Sequence, residues 1–151
     1  MMYTDGRQSM RIIEYEDKYR DDMIFMVLEA KNALGFVPRL NNDLLDVKAN
    51  YLDKGAAFYL AIDDNDRVIG CVGYESLDMR TAKLHRFYVK ASLKRQGIGS
   101  ALLEKIESSI AQAGYREIVA HLGGPEYVES KAFYPAKGYL EYQPNWMRKL
   151  I

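Results

Sequence analysis

"FYVKASLKRQGIGSALLEKI", residues 87–106, sets three local regimes end to end. Its first residues finish an apolar, strand-like run that begins near Thr81. "KASLKRQG" is basic and punctuated by glycine. From Ile98 onward Ile98, Ala101, Leu102, Ile106, Ile110 and Ala113 recur at helical spacing as one apolar stripe, and Gly114 marks its end. A strand therefore feeds a tight turn, and the turn opens a helix with no linker. The first N–H groups of a helix lack intrahelical partners and carry partial positive charge. Gly97 and Gly99 let the backbone approach a ligand closely, while Lys94 and Arg95 add full charges. Together these make an anion site suited to phosphate. A G-x-G turn also serves as a plain tight connection, so spacing alone leaves both readings open. The stretch is neither a G-x-x-x-x-G-K-[ST] loop nor G-x-G-x-x-G, since residue 102 is Leu.

The charge at that junction is local. Lys plus Arg number 21 and Asp plus Glu number 21, which leaves no global field to draw nucleic acid or a membrane surface. At 151 residues, with 48% hydrophobic and 28% charged residues, the chain is expected to form one globular domain. Cys71 is the only cysteine, which excludes an internal disulfide and favours a reducing, cytoplasmic setting. No apolar run approaches the ~18 residues of a membrane-spanning helix. Residues 1–10 read as a polar, loosely ordered leader without a signal-peptide core, and Met10 is a candidate start. The domain is expected over residues 11–151.

Along that domain, residues 11–16 alternate as a strand. Residues 17–34 carry Met23, Val27, Ala30 and Leu34 at helical spacing, with Asp17 as N-cap. A loop leads to a second helix with Leu44, Val47, Tyr51 and Leu52 on one stripe, stopped by Gly55. Strands follow at 56–62 and 67–77 around the turn "DDND", then at 81–89. After the glycine-led helix come a strand at 115–122, a short helix within 125–138, and two short strands in the tail. The order is β-α-α-β-β-β-α-β-α-β-β, a mixed α/β layer structure with one or two helical crossovers.

"FYVKASLKRQGIGSALL" resembles the cofactor-binding motif of the GNAT family of N-acetyltransferases, Q/R-x-x-G-x-G/A, with Lys94 at the Q/R position and Gly97 and Gly99 at the glycines. "AFYPAKGYLEY" is similar to the family's late segment F-Y-x-K-x-G-F, with Phe133, Tyr134, Gly138 and Tyr139 in register and Ala136 at the Lys position. Tyr127 stands where many members carry an Asn. The resemblance spans about nine-tenths of the chain. It implies a central, mostly antiparallel twisted sheet of six to seven strands flanked by about four helices.

The resemblance further implies acetyl-CoA as co-substrate, while two histidines and one cysteine at scattered positions make no metal site. Its pyrophosphate would lie along Lys94, Arg95, Gln96, Gly97, Ile98, Gly99 and Ser100. Its pantetheine amides would pair with the backbone of Phe87, Tyr88 and Val89, as an added strand does. The acetyl group would pass to an amine by direct attack in a ternary complex, through a tetrahedral intermediate. An amine of pKa near 10 is protonated at pH 7, and freeing it costs about 4 kcal/mol. Tyr134 matches the family's proton donor to the departing thiolate, an uphill transfer of about 2 kcal/mol at unperturbed values. Glu75, ending the strand "VIGCVGYE", and His121, ending a later strand, are the candidate bases. His85 reads as a structural histidine with satisfied nitrogens, and Cys71 as core. The acceptor is a primary amine on a small molecule, amino acid or peptide, and a homodimer is an open alternative. Two other readings stay open: a non-catalytic acyl-CoA-binding sensor or interaction module of the same fold, and a nucleotide-phosphate protein with different chemistry.

Overall fold

The computed structural model describes residues 2–3, 9–123 and 128–151. Along them run β1 (Met2–Tyr3), β2 (Met10–Glu14), α1 (Arg20–Ala33), α2 (Val47–Asn50), β3 (Phe58–Asp63), β4 (Val68–Ser76) and β5 (Thr81–Val89). Then follow α3 (Ile98–Gln112), β6 (Glu117–His121), α4 (Val128–Ala136), β7 (Leu140–Gln143) and β8 (Trp146–Leu150). The strands form one sheet in the order β1-β2-β3-β4-β5-β6-β8-β7. Neighbours are antiparallel, apart from the parallel pair β5–β6 that α3 connects. This is the mixed α/β architecture expected from the element order. It comprises the seven anticipated strands and β1 as an eighth.

Alternation along the central strands sets the layers. Phe58, Leu60 and Ile62 of β3, with Val68 and Cys71 of β4, pack on Met23, Met26 and Val27 of α1. Tyr59, Ala61, Ile69, Val72 and Tyr74 face the opposite way, onto Ile98, Leu102, Ile106 and Ile110 of α3. Both faces of β3 and β4 are covered, so these strands read as nearly continuous apolar runs. The close approach of α3 depends on Gly70, where a Cβ would stand 2.8 Å from Leu102 Cδ1 and 3.2 Å from the Tyr88 carbonyl oxygen.

Four local expectations change. Met2–Tyr3, part of the supposed loose leader, pairs with Met10 and Arg11, and β2 begins at the fully buried Met10. Met10 extends the alternation of Ile12 onto the α3 face. Asp17 starts a 3₁₀ turn (Asp17–Tyr19) rather than capping α1, which begins at Arg20. The second helix divides into a 3₁₀ turn (Asn42–Asp46), α2 and another 3₁₀ turn (Leu52–Lys54), because Asp46 accepts from Ala49 N at 3.0 Å and restarts the helix. Ala113 is the exposed C-cap of α3 rather than part of its buried stripe, and Gly114, at φ 97°, closes the helix as expected. Among the described residues no helix is long and apolar enough to cross a membrane.

Candidate functional site

Strands β5 and β6 hydrogen-bond only where Thr81–Lys83 meets Glu117–Val119. Past Lys83, β5 runs on for six residues while β6 pairs with β8. One edge of β5 therefore opens where Phe87 and Val89 lie, the splay that the strand-addition reading requires. Across β4, the register moves from Cys71↔Tyr88 to Gly73↔His85, so Arg86 and Phe87 together oppose Val72. Arg86 sits in this bulge at φ 54°, a left-handed conformation for a residue with a Cβ.

Beyond β5 the chain turns through Arg95 at φ 64° and Gly97 at φ 84°. Gly97 is the N-cap of α3 and brings no side-chain cap, so the N–H groups of the first turn stay open to a ligand. Alternating left-handed residues and an uncapped helix start concentrate N–H groups around one concavity, the geometry of an anion nest. This turn opens into a cleft of about 530 Å³. Phe87, Val89 and Leu93 form one wall. Lys94, Arg95, Gly97, Ile98, Gly99 and Ser100 form the basic end, with Glu129, Phe133 and Tyr134 of α4 opposite. A Cβ at Gly99 would project between Phe133 and Val89, at 3.6 and 3.7 Å. Without a Cβ, the backbone at residue 99 lines the cleft directly.

The two motif segments meet through an aromatic column. Phe87 stacks edge-on against Phe133 (5.8 Å between centroids), Phe133 against Tyr134 (5.4 Å), and Tyr134 against Tyr139 (5.2 Å). Tyr139 anchors the column by donating to Glu107 Oε2 at 2.8 Å, and Lys149 Nζ reaches the same oxygen at 3.1 Å. Tyr134 lines the cleft, is 7% exposed, and its hydroxyl makes no hydrogen bond with the described residues. Burial pushes its pKa up, so the phenol holds its proton at neutral pH and gives it up less readily than an exposed tyrosine. At the mouth Lys94 Nζ lies 3.9 Å from Glu129 Oε2; both are well exposed, so the pair is weak and gives way easily to an anion.

Eight of the ten expected cofactor residues line this cleft. The exceptions are Gln96, half-buried beside it, and Tyr88, whose ring packs on the α1 face. The position of Tyr127 lies outside the described residues. Glu75 and His121 do not line the cleft. Glu75 Oε1 lies 3.9 Å from both Lys83 Nζ and His85 Nε2 on the α1 side of the sheet. His121 accepts from Gly123 N at 3.1 Å and stacks on Trp146 at 4.8 Å. Cys71 is core as expected: its thiol donates to the Arg86 carbonyl at 3.2 Å, and burial raises its pKa to about 12.

On that α1 side the fold builds a polar cluster that the sequence did not announce. Arg86 Nη2 and Nε grip Asp43 at 2.8 and 3.0 Å. The Tyr51 hydroxyl donates to Asp43 Oδ2 at 2.5 Å and meets His85 Nδ1 at 2.8 Å. Burial opposes ionisation of Asp43, yet the Arg86 and Tyr51 hydrogen bonds hold its pKa below the usual carboxylate value. For His85, burial first and Arg86 second depress the pKa, so the ring is neutral at pH 7. Asp43 and Tyr51 were missed because one reads as loop and the other as an apolar-stripe tyrosine. Among the described residues no cluster of three or more His, Cys, Asp or Glu side chains could hold a metal ion.

Residues 9–139 match the sequence model of the acetyltransferase (GNAT) family. The human protein named N-acetyltransferase 8 is 28% identical over 106 residues, covering 66% of this chain. The chain spans less than half the length of the curated relatives it matches, 46% for the human one. An acetyltransferase of Streptococcus agalactiae superposes with a TM-score of 0.85 at 18% identity, over 98% of this chain and all of that one. A phosphinothricin acetyltransferase of Sinorhizobium meliloti, solved in complex with AcCoA, superposes with a TM-score of 0.73 at 15% identity, over 94% and 88% of the two chains. The structural likenesses establish the fold, and the match over 131 of 151 residues (9–139) places this chain in the acetyltransferase (GNAT) family.

Proposed function

We propose that this protein is an N-acetyltransferase that moves an acetyl group from acetyl-CoA to a primary amine by direct attack in a ternary complex. The observation that carries the reading is the uncapped start of α3, which opens into a cleft that reaches Tyr134. A free helix terminus holds the diphosphate, the unpaired β5 edge pairs with the pantetheine amides, and a buried phenol waits at the far wall. The AcCoA complex of the Sinorhizobium relative and the name of the human relative support the same donor and the same nitrogen acceptor.

Acetyl-CoA supplies an acyl group already activated as a thioester, so positioning and two proton transfers are the work left to the chain. Tyr134 protonates the leaving sulfur. On the other side of the sheet, Glu75 gives the α1 face a carboxylate, 45% exposed, that attracts a cationic amine. His121, seated on Trp146, lies at the end of β6 and contributes to the acceptor's surroundings rather than to the cleft. The buried, protonated Cys71 suits a cytoplasmic protein and leaves no thiolate for a covalent acyl-enzyme.

Equilibrium dialysis against acetyl-CoA, ATP and NAD, followed by a free-thiol assay over polyamines, amino acids, aminoglycosides and peptides, tests the proposal. Acetyl-CoA binding with amine-dependent thiol release is the expected result. Binding without turnover on any amine would point to a sensor module instead, and binding of ATP or NAD alone would overturn the donor assignment.

A further inference from the structure

The hydrogen bonds around Tyr51 fix the protonation of His85. Asp43, ionised by its pair with Arg86, can only accept, so the Tyr51 hydroxyl spends its one proton on it. Toward His85 the same oxygen can then only accept. Nδ1, 2.8 Å away, must carry the ring proton, which leaves Nε2 with a bare lone pair. That lone pair faces Glu75 Oε1 at 3.9 Å. Two acceptors this far apart have no proton to share directly, but one donor nitrogen at about 2.9 Å from each bridges them. His85 also stands two residues past the last β5–β6 pairing, at the opened edge. The cleft walls occupy the α3 side of that edge, so an acceptor arriving from the other side meets Glu75 and His85.

We infer that His85 Nε2 is the base that takes a proton from the acceptor's ammonium group, with Glu75 receiving the cation beside it and Asp43 and Tyr51 as positioning residues. This rests on the acyl-transfer reading above. A primary ammonium carries three N–H protons. One passes to Nε2; the freed lone pair attacks the thioester carbonyl, and the tetrahedral intermediate collapses as the C–S bond breaks with its electrons on sulfur. The nitrogen's second departing proton replaces the one Tyr134 gives to sulfur. His85 returns its proton to solvent, and one proton is released overall. The charged and titratable groups facing His85 are Glu75 from β4, Lys83 and Arg86 from β5, and Asp43 and Tyr51 from the segment around α2.

Nitrogen-15 NMR of the imidazoles tests the proposal without any acceptor, and with two histidines in the chain the assignment is simple. The parent should show His85 as the Nδ1–H tautomer, Tyr51→Phe should lose that preference, and added methylammonium should shift Nε2. An Nε2–H tautomer in the parent would overturn the inference. In turnover, His85→Asn keeps an N–H for Tyr51 but has no base. It should lose at least a hundredfold in kcat/KM while binding acetyl-CoA within twofold of the parent. Tyr51→Phe should lower kcat about tenfold and displace the acidic limb of the pH profile. Unchanged turnover in His85→Asn would overturn this inference alone, whereas a parent that does not bind acetyl-CoA would overturn the acyl-transfer reading with it.

Discussion

Arg86 donates two hydrogen bonds to Asp43, Nη2 to Oδ1 at 2.8 Å and Nε to Oδ2 at 3.0 Å, from a backbone position at φ 54°. The fork ties the bulge of β5 to the segment that leads into α2, and both side chains are about three-quarters buried. A left-handed residue with a Cβ costs roughly 1–2 kcal/mol, and a bidentate pair of this kind offsets it. Arg86→Ala should destabilise by about 2 kcal/mol, because it keeps the backbone cost and leaves Asp43 without its cation. Arg86→Gly loses the same pair but relieves the backbone, so it should be more stable than Arg86→Ala by roughly 0.5–1 kcal/mol. Urea unfolding of both variants decides this. Equal stability would mean that φ at position 86 stores no strain.

Acid stability should report the same carboxylate. Asp43 is held below its ordinary pKa against burial by Arg86 and Tyr51, and Asp22 by Arg67 and by the backbone N–H of Val68. A depressed carboxylate contributes stability that is fully present above its unfolded pKa of about 3.9 and is lost as pH falls through the folded value. The carboxylates' contribution should therefore be flat from neutral pH to about 5 and fall below about 4, after an earlier fall below about 6.5 from His85, whose pKa burial lowers. Asp43→Asn should begin less stable at pH 7 and show a shallower acid fall. Parallel acid profiles in parent and variant would rule out Asp43 as a source.

Tyr134→Phe removes one oxygen from a hydroxyl that makes no hydrogen bond with the described residues and preserves the ring contacts to Phe133 and Tyr139. Thermal stability should change by less than about 0.5 kcal/mol. Acetyl-CoA affinity should stay near that of the parent, while kcat should fall about 10²–10⁴-fold. A parent-like kcat would leave the phenol as packing alone.

At Gly99 stability and binding should move in opposite directions. Its φ is not positive, and an added Cβ meets Phe133 and Val89 at ordinary contact distances. Gly99→Ala should therefore leave the fold as stable or slightly more so, since alanine favours helix over glycine. The same methyl group would cover backbone that lines the cleft, so acetyl-CoA should bind about tenfold more weakly. Calorimetry and thermal unfolding on one sample separate the two effects. Unaltered affinity would mean that the ligand does not pass over residue 99.

The parts of the site legible in the sequence are those built from neighbours. Strand β5, the turn and α3 are consecutive, and their apolar spacing, basic residues and glycines mark the boundaries within a residue or two. Tyr134 was recoverable because its segment carries its own aromatic and glycine pattern. The Asp43–Tyr51–His85–Arg86 cluster was not, since it joins positions up to 43 residues apart and depends on a bulge. Nothing in "KLHRFYV" tells that Arg86 takes a positive φ; the offset between Cys71 and Gly73 in the partner strand creates it. The second helix lost its continuity for a similar local reason, as the exposed Asp46 accepts from the backbone N–H of Ala49 and starts a new turn. Glu75 and His121 were read as one pool of bases lining a single cleft, but neither lines it: Glu75 stands with His85 on the α1 side of the opened β5 edge, and His121 packs on Trp146.

Backbone amide NMR during titration with acetyl-CoA addresses the phosphate site most directly. The expected result is saturable binding, with the largest shifts at Gly97, Ile98, Gly99 and Ser100 and a second group at Phe87 and Val89. Saturation with those amides unmoved, or no binding at millimolar ligand, would contradict a diphosphate seated on the start of α3.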